Sequence, residues 1–192
     1  MKQKLILASA SPRRLEILKQ AGIIPDQVIP ADIDEAPRLR EIPSQYAKRI
    51  ASEKALKIAQ AEKNTFILSA DTVVALGRRI LPKAETEAQA RECLTALSGR
   101  NHTVLTAISV VTPAGVHRTK LVTSKVRLKR LTPSEIDTYV STQEWKGKAG
   151  GYGIQGAASV FIPFIHGSYS SIVGLPLYET VHLLKGLGYV TL

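Results

Sequence analysis

The sequence predicts an α/β fold built on a mixed sheet. Apolar runs with strand character alternate with helical segments along all 192 residues, the order that stacks helices on a sheet. Two capping boxes, Thr86-Glu87-Ala88-Gln89 and Thr132-Pro133-Ser134-Glu135, mark helix starts. Two strand-like runs meet at Pro113-Ala114-Gly115, a hairpin that sets antiparallel strands beside parallel ones.

The first strand covers 4–8, through Leu5-Ile6-Leu7-Ala8. A helix over 12–21 follows, with Ser11 as N-cap, Pro12 at the first helical position and Gly22 as its stop. Pro30 to Pro43 is loop and carries Asp32-Ile33-Asp34-Glu35. A second helix over 44–61 shows an apolar stripe of Ala47, Ile50, Ala51 and Ile58. Phe66 to Leu76 forms one long apolar strand or a strand pair, ended by the turn Gly77-Arg78-Arg79. The Thr86 box opens a helix to Leu97, closed by Gly99. His102 to Thr112 and Val116 to Leu128 are the hairpin strands, and the Thr132 box opens the next helix. A glycine-rich loop at 147–156 leads into an apolar run, 157–165, expected to be a strand, and the last helix starts near Pro176. With no repeat, low-complexity segment or linker, residues 1–192 are expected to form one domain.

The formal charge of +10 attracts polyanions, whether nucleic acid or a nucleotide polyphosphate. The basic residues form no tail. Arg78-Arg79 and the stretch from Lys125 to Arg130 adjoin apolar residues and read as solvated surface. Aromatic residues are 5% of the chain and scattered, which argues against an RNA stacking platform. No run nears the roughly 20 apolar residues of a membrane span, and Leu5–Ala8 is too short for a signal peptide, so a cytoplasmic protein is expected. One cysteine, Cys93, excludes an intramolecular disulfide. Its place beside Ala90, Leu94 and Leu97 on an apolar helix face predicts a buried thiol. The histidines at 102, 117, 166 and 182 lack H-E-x-x-H spacing, so zinc is not expected. Ser168 to Ser171 lack a G-x-S-x-G elbow.

Several residues point to phosphate chemistry. The turn after the first strand gathers Ser9, Ser11, the free N–H groups of a helix start, Arg13 and Arg14. All can face one anion, although an ordinary turn with two solvated arginines has the same letters. Asp71 interrupts an apolar strand, where a carboxylate needs a partner or a metal. Glu35 is a candidate second carboxylate, with Asp32 and Asp34 as rivals, and two carboxylates plus phosphates suit Mg²⁺. Lys54 fills a position on the apolar stripe of the second helix, so its ammonium either has an anionic partner, Asp71 or a substrate phosphate, or snorkels out to water. Lys83 beside Pro82 reads by itself as a surface lysine. Residues 151–156 spell G-x-G-x-x-G, but the predicted strand after them excludes the dinucleotide fingerprint. Gln155 in that loop offers an amide suited to a base edge.

Ser9-Ala10-Ser11-Pro12-Arg13-Arg14, Glu53-Lys54-Ala55, Ser69-Ala70-Asp71-Thr72-Val73-Val74, Gly147 to Gly156, and Gly167-Ser168-Tyr169 through Val173-Gly174-Leu175-Pro176 together resemble the Maf family of nucleoside triphosphate pyrophosphatases, once described as septum-formation inhibitors. The resemblance covers nearly the whole chain. It implies a two-lobed mixed sheet flanked by helices with a central cleft, similar to the inosine triphosphatases. It implies hydrolysis of a nucleoside triphosphate to monophosphate and pyrophosphate with Mg²⁺ or Mn²⁺, and a homodimer. By the same resemblance Asp71 is the proton acceptor, and Ser9, Arg13, Arg14, Glu35, Lys54 and Lys83 are the other polar active-site positions. Asp71 and Glu35 then hold the metal. Arg13, Thr72 and Gln155 match positions linked to base preference, and the motifs look like the branch acting on dTTP and UTP. The family's Gly-Lys-Pro is here Pro82-Lys83-Ala84, and Ala157-Ala158-Ser159 replaces the common residues after Gly156. A nucleic-acid-binding protein and a cell-division partner without turnover are the alternatives from other classes.

Overall fold

The computed structural model describes residues 3–190. Its order is β1 (Leu5–Ala8), α1 (Pro12–Gln20), β2 (Gln27–Val28), α2 (Pro43–Ala61), β3 (Phe66–Leu76), β4 (Arg79–Leu81), α3 (Glu87–Leu97), β5 (Asn101–Val111), β6 (His117–Arg127), α4 (Pro133–Ser141), a 3₁₀ helix (Ala157–Phe161), β7 (Phe164–His166), α5 (Tyr169–Val173) and α6 (Leu177–Gly186). The strands form one mixed sheet in the order β2-β1-β3-β5-β6-β7, with β4 paired to β3. β1 runs parallel to β2 and β3, whereas β4 and β7 pair antiparallel with β3 and β6. The predicted α/β mixed sheet is therefore the observed one. Among the described residues no helix is long and apolar enough to cross a membrane.

The chain divides into two compact units. The first runs from the N-terminal segment through Asp71 and adds Thr106–Val122 and the segment from Gly174 onward; the second holds Thr72–Leu105 and Thr123–Val173.

In the first unit α1 ends as predicted, because Gly22 adopts φ 69°. That left-handed residue lets Gly22 N bond Lys19 O and Ile23 N bond Leu18 O, the paired closure of a Schellman stop. The α2 stripe faces the core: Ala47, Ile50, Ala51, Lys54, Ala55 and Ile58 are all buried. Ala55 and Ile58 pack with Ile6, Ala8, Ile67 and Val111.

In the second unit both capping boxes close as read, with each threonine side chain accepting from the backbone three residues on and the reciprocal bond present. Cys93 is buried in a core that includes Leu94, Leu97, Tyr139 and Trp145, and burial pushes its thiol pKa up. An ion pair between Arg91 and Asp137 joins α3 to α4.

One expected element is wrong. Residues 157–165 do not form a strand: Ala157–Phe161 coils as a 3₁₀ helix, and pairing is confined to Phe164–His166. Ala157 N donates to the Glu144 carboxylate at 2.8 Å, which tethers the start of the segment locally. The apolar residues are buried at Ala158 and Phe161, a spacing of three that a strand would split between its faces. The strand argument against a dinucleotide fingerprint therefore fails. Gly151 has φ 68°, and a Cβ there would lie 3.2 Å from Ala90 Cα and Cys93 Cβ on α3. This glycine is used for close helix packing within the core.

His102 gives this unit a pH dependence. Its ring is 2% exposed, Nε2 is 2.6 Å from Tyr152 Oη, and Nδ1 has no partner among the described residues. Burial pushes the ring pKa from 6.5 down to about 4. The native state therefore keeps His102 neutral while the unfolded chain protonates first. Its contribution is whole above pH 6.5 and is lost as pH falls toward 4, by up to about 3 kcal/mol. Denaturant titrations across that range are expected to show the slope, and His102→Gln is expected to flatten it.

Candidate active site

The first unit brings five of the sequence-predicted residues together. Parallel pairing sets Leu5 beside Phe66 and Ala8 beside Ser69, so the turn after β1 and the middle of β3 reach the same end of the sheet. Ligands of open α/β sheets bind at the carboxyl ends of such strands. Ser69 and Asp71 share one face of β3 by strand alternation. Ser69 Oγ donates to Ala51 O on α2 at 2.5 Å. Two residues further on, Asp71 meets Lys54, three residues after Ala51: Lys54 Nζ donates to Asp71 Oδ1 at 2.9 Å.

The Glu35 carboxylate completes the bracket, 2.7 Å from Lys54 Nζ. Lys54 is 7% exposed and Asp71 3%, so each needs the other to offset the loss of water. Of the three acidic residues in the loop, Glu35 reaches the lysine. Asp34 instead accepts from Ala36 N at 2.8 Å.

Ser9 and Arg14 flank this centre. Ser11 occupies the N-cap of α1, but its side chain makes no cap bond. Ser9 instead ties the turn to the helix: Ser9 Oγ accepts from Ser11 N at 3.2 Å and from Arg14 Nη1 at 3.0 Å. Arg14 Nε donates to Gly174 O at 2.9 Å, which fixes the guanidinium plane. Burial lowers the Arg14 pKa, Asp71 opposes the shift, Arg13 adds to it and Glu35 opposes it. Arg14 therefore feels both carboxylates and the neighbouring Arg13.

Thr72, Lys83 and Gln155 belong to the second unit. Thr72 follows Asp71 on β3. Lys83 forms a β-bridge with Ala149, flanked by Ala84 N to Lys148 O at 3.2 Å and Gly150 N to Pro82 O at 3.0 Å. The Lys83 segment and the glycine-rich loop are thus one paired structure. Gln155 is exposed on that loop.

Sequence reasoning missed Tyr46, Arg49 and Glu41. Tyr46 and Arg49 lie on α2 and bond the backbone of the acidic loop. Arg49 and Tyr46 fall off the apolar stripe, and no local pattern distinguishes them from solvated residues.

Among the described residues no group of three or more His, Cys, Asp or Glu side chains could hold a metal ion. The Glu35–Asp71 pair already binds one cation, the Lys54 ammonium. Its hard oxygens fit a divalent cation that takes its remaining ligands from phosphates and water.

Fold and site together define an α/β protein in which two carboxylates, a lysine and an arginine gather at the carboxyl ends of parallel strands. The chain belongs to the Maf family: the family profile, described as Maf-like protein, matches residues 4–187. A dTTP/UTP pyrophosphatase of Caulobacter vibrioides is 58% identical over 185 residues, 96% of each chain. One from Mesorhizobium japonicum is 55% identical over 193 aligned residues, 97% of this chain and 93% of its own. Among solved structures, a HAM1 protein from Coxiella burnetii aligns over 96% of this chain and 99% of its own, with a TM-score of 0.50 at 16% identity. That likeness is one of fold.

Proposed function

We propose that this protein hydrolyses dTTP and UTP to the monophosphate and pyrophosphate with the help of a divalent cation. The observation that carries the reading is Lys54 bracketed by Asp71 and Glu35 beside Ser9 and Arg14. The substrate class follows the relatives at 55–58% identity, which are dTTP/UTP pyrophosphatases.

Water attacks the α-phosphorus, a new P–O bond forms, and the bond to the bridging oxygen of the β-phosphate breaks. Asp71 orients that water and accepts its proton. Arg13, Arg14, Lys54 and Lys83 offset charge on the phosphates and on the departing pyrophosphate, and Ser9 fixes Arg14. Glu35 and Asp71 would hold the cation. When bound, it neutralises phosphate charge and makes the phosphorus more electrophilic. Such catalysis is mainly positioning and electrostatics. Arg13, Thr72 and Gln155 select the base, with the Gln155 amide able to donate and accept at a pyrimidine edge. Free nucleotides as substrates carry with them a cytoplasmic location, and a homodimer belongs to the same reading.

The test is a hydrolysis panel with Mg²⁺ or Mn²⁺ and separated products. Monophosphate and pyrophosphate are expected from dTTP and UTP, ahead of CTP, GTP and 7-methyl-GTP. Faster turnover of a purine would overturn the base assignment, and no turnover of any nucleotide would overturn the reaction.

A further inference from the structure

We infer that Asp34, Tyr46 and Arg49 are positioning residues for the Glu35 carboxylate, acting through the backbone of residues 35 and 36. The inference rests on the reading of Glu35 as part of the hydrolytic centre. Glu35 stands on a loop outside any helix or strand, and its side chain is 33% exposed. A loop carboxylate with that access to water has many rotamers and backbone states to lose. Three bonds remove much of that freedom from two consecutive peptide groups. Tyr46 Oη donates to Glu35 O at 2.7 Å. Ala36 N donates to Asp34 Oδ1 at 2.8 Å, and Arg49 Nη2 donates to Ala36 O at 3.0 Å.

The brace has a rigid base. Tyr46 and Arg49 lie about one turn apart on α2, the helix that also carries Lys54. One helix therefore sets both the ammonium and the backbone that bears its second carboxylate. Arg49 is itself held by a two-pronged bond to Glu41, at 2.7 and 2.8 Å, and by Glu53 at 3.1 Å. Glu41 in turn accepts from Arg38 N at 3.0 Å and closes the turn in which Arg40 takes φ 60°. That conformation is uncommon for a residue with a Cβ, so the turn depends on its anchors. The Arg49 guanidinium holds the Glu41 carboxyl down at about 2. Burial, with Asp71 and Glu35 adding to it, pushes the Tyr46 phenol up to about 12. Glu41 therefore stays charged and the Tyr46 phenol stays protonated across neutral pH. None of the three residues has to touch substrate. Outer partners of a ligating group typically change activity or metal affinity by about 10- to 100-fold.

The experiment joins structure to kinetics. Crystal structures of the parent and of Tyr46→Phe/Arg49→Met are compared at the Glu35–Lys54 contact, 2.7 Å here. The inference expects the carboxylate to leave the lysine, beyond about 4 Å; an unchanged contact overturns it. Tyr46→Phe alone loses one hydroxyl, and folding is not at risk. It is expected to lower kcat on dTTP about tenfold with little change in KM. In a Glu35→Gln background the same substitution is expected to do nothing further. An equal loss in both backgrounds means a general structural role and overturns the inference. Failure of the parent to release pyrophosphate sinks the functional reading instead, and the Glu35–Lys54 distance still decides the positioning role.

Discussion

Asp71→Asn is expected to reduce turnover of dTTP by about 10²- to 10⁴-fold, the range for removing a positioned proton acceptor, while the protein stays folded. Asn is nearly the same size, so the buried position on β3 keeps its packing. Lys54 loses one anionic partner and keeps Glu35 at 2.7 Å, so the ammonium is not stranded. The amide oxygen still accepts a hydrogen bond from Lys54, but it takes no proton from water and carries no charge toward a cation. The loss should fall on kcat more than on KM, because in the proposed reaction Arg13, Arg14 and Lys54 still offset the charge of the substrate phosphates. Steady-state kinetics with dTTP and a thermal melt on the same preparation test this. Near-normal turnover in a folded variant would remove Asp71 from the mechanism.

Lys54→Met is expected to hurt both stability and turnover. Methionine matches the lysine stem in length and fills the same space on the α2 stripe. What disappears is the ammonium between two carboxylates at 2.7 and 2.9 Å. Breaking a buried ion pair by removing one partner costs about 3–5 kcal/mol, and the low end applies because Glu35 retains access to water. Urea titration at neutral pH should show that loss. A divalent cation should then restore stability to the variant more than it adds to the parent, since the carboxylate pair has lost its other counter-charge. A variant as stable as the parent without added metal would mean that the Lys54 bracket carries little structural weight. Turnover should fall as well, since Lys54 also faces the phosphates in the proposed reaction.

These two residues were legible in the sequence for the same reason. A charged residue that keeps step with an apolar pattern must either pair with an opposite charge or snorkel to water, and both of these residues pair. Lys54 kept the 3.6-residue period of Ala47, Ile50, Ala51 and Ile58, and Asp71 interrupted an otherwise apolar strand. Capping boxes at Thr86 and Thr132 were equally readable, because their bonds close within four residues. The Gly22 stop of α1 is local in the same way.

Other features depended on partners far along the chain. Asp32, Asp34 and Glu35 looked alike as loop acids. Glu35 is selected by bonds from Tyr46 and Arg49, residues 11 and 13 positions away from the atoms they hold. Arg14 is oriented by Gly174, 160 positions on. Residues 157–165 have strand-like composition, yet the burial of Ala158 and Phe161 favours a 3₁₀ turn over a strand. By itself, then, the sequence determined the mixed α/β class, the longer helices and strands and the buried charges, because periodicity and capping are local properties of the backbone. Only the tertiary structure decided which loop carboxylate meets Lys54 and how Arg14 is aimed. Those choices are made by single hydrogen bonds between distant residues, and such bonds leave no periodic trace in the chain.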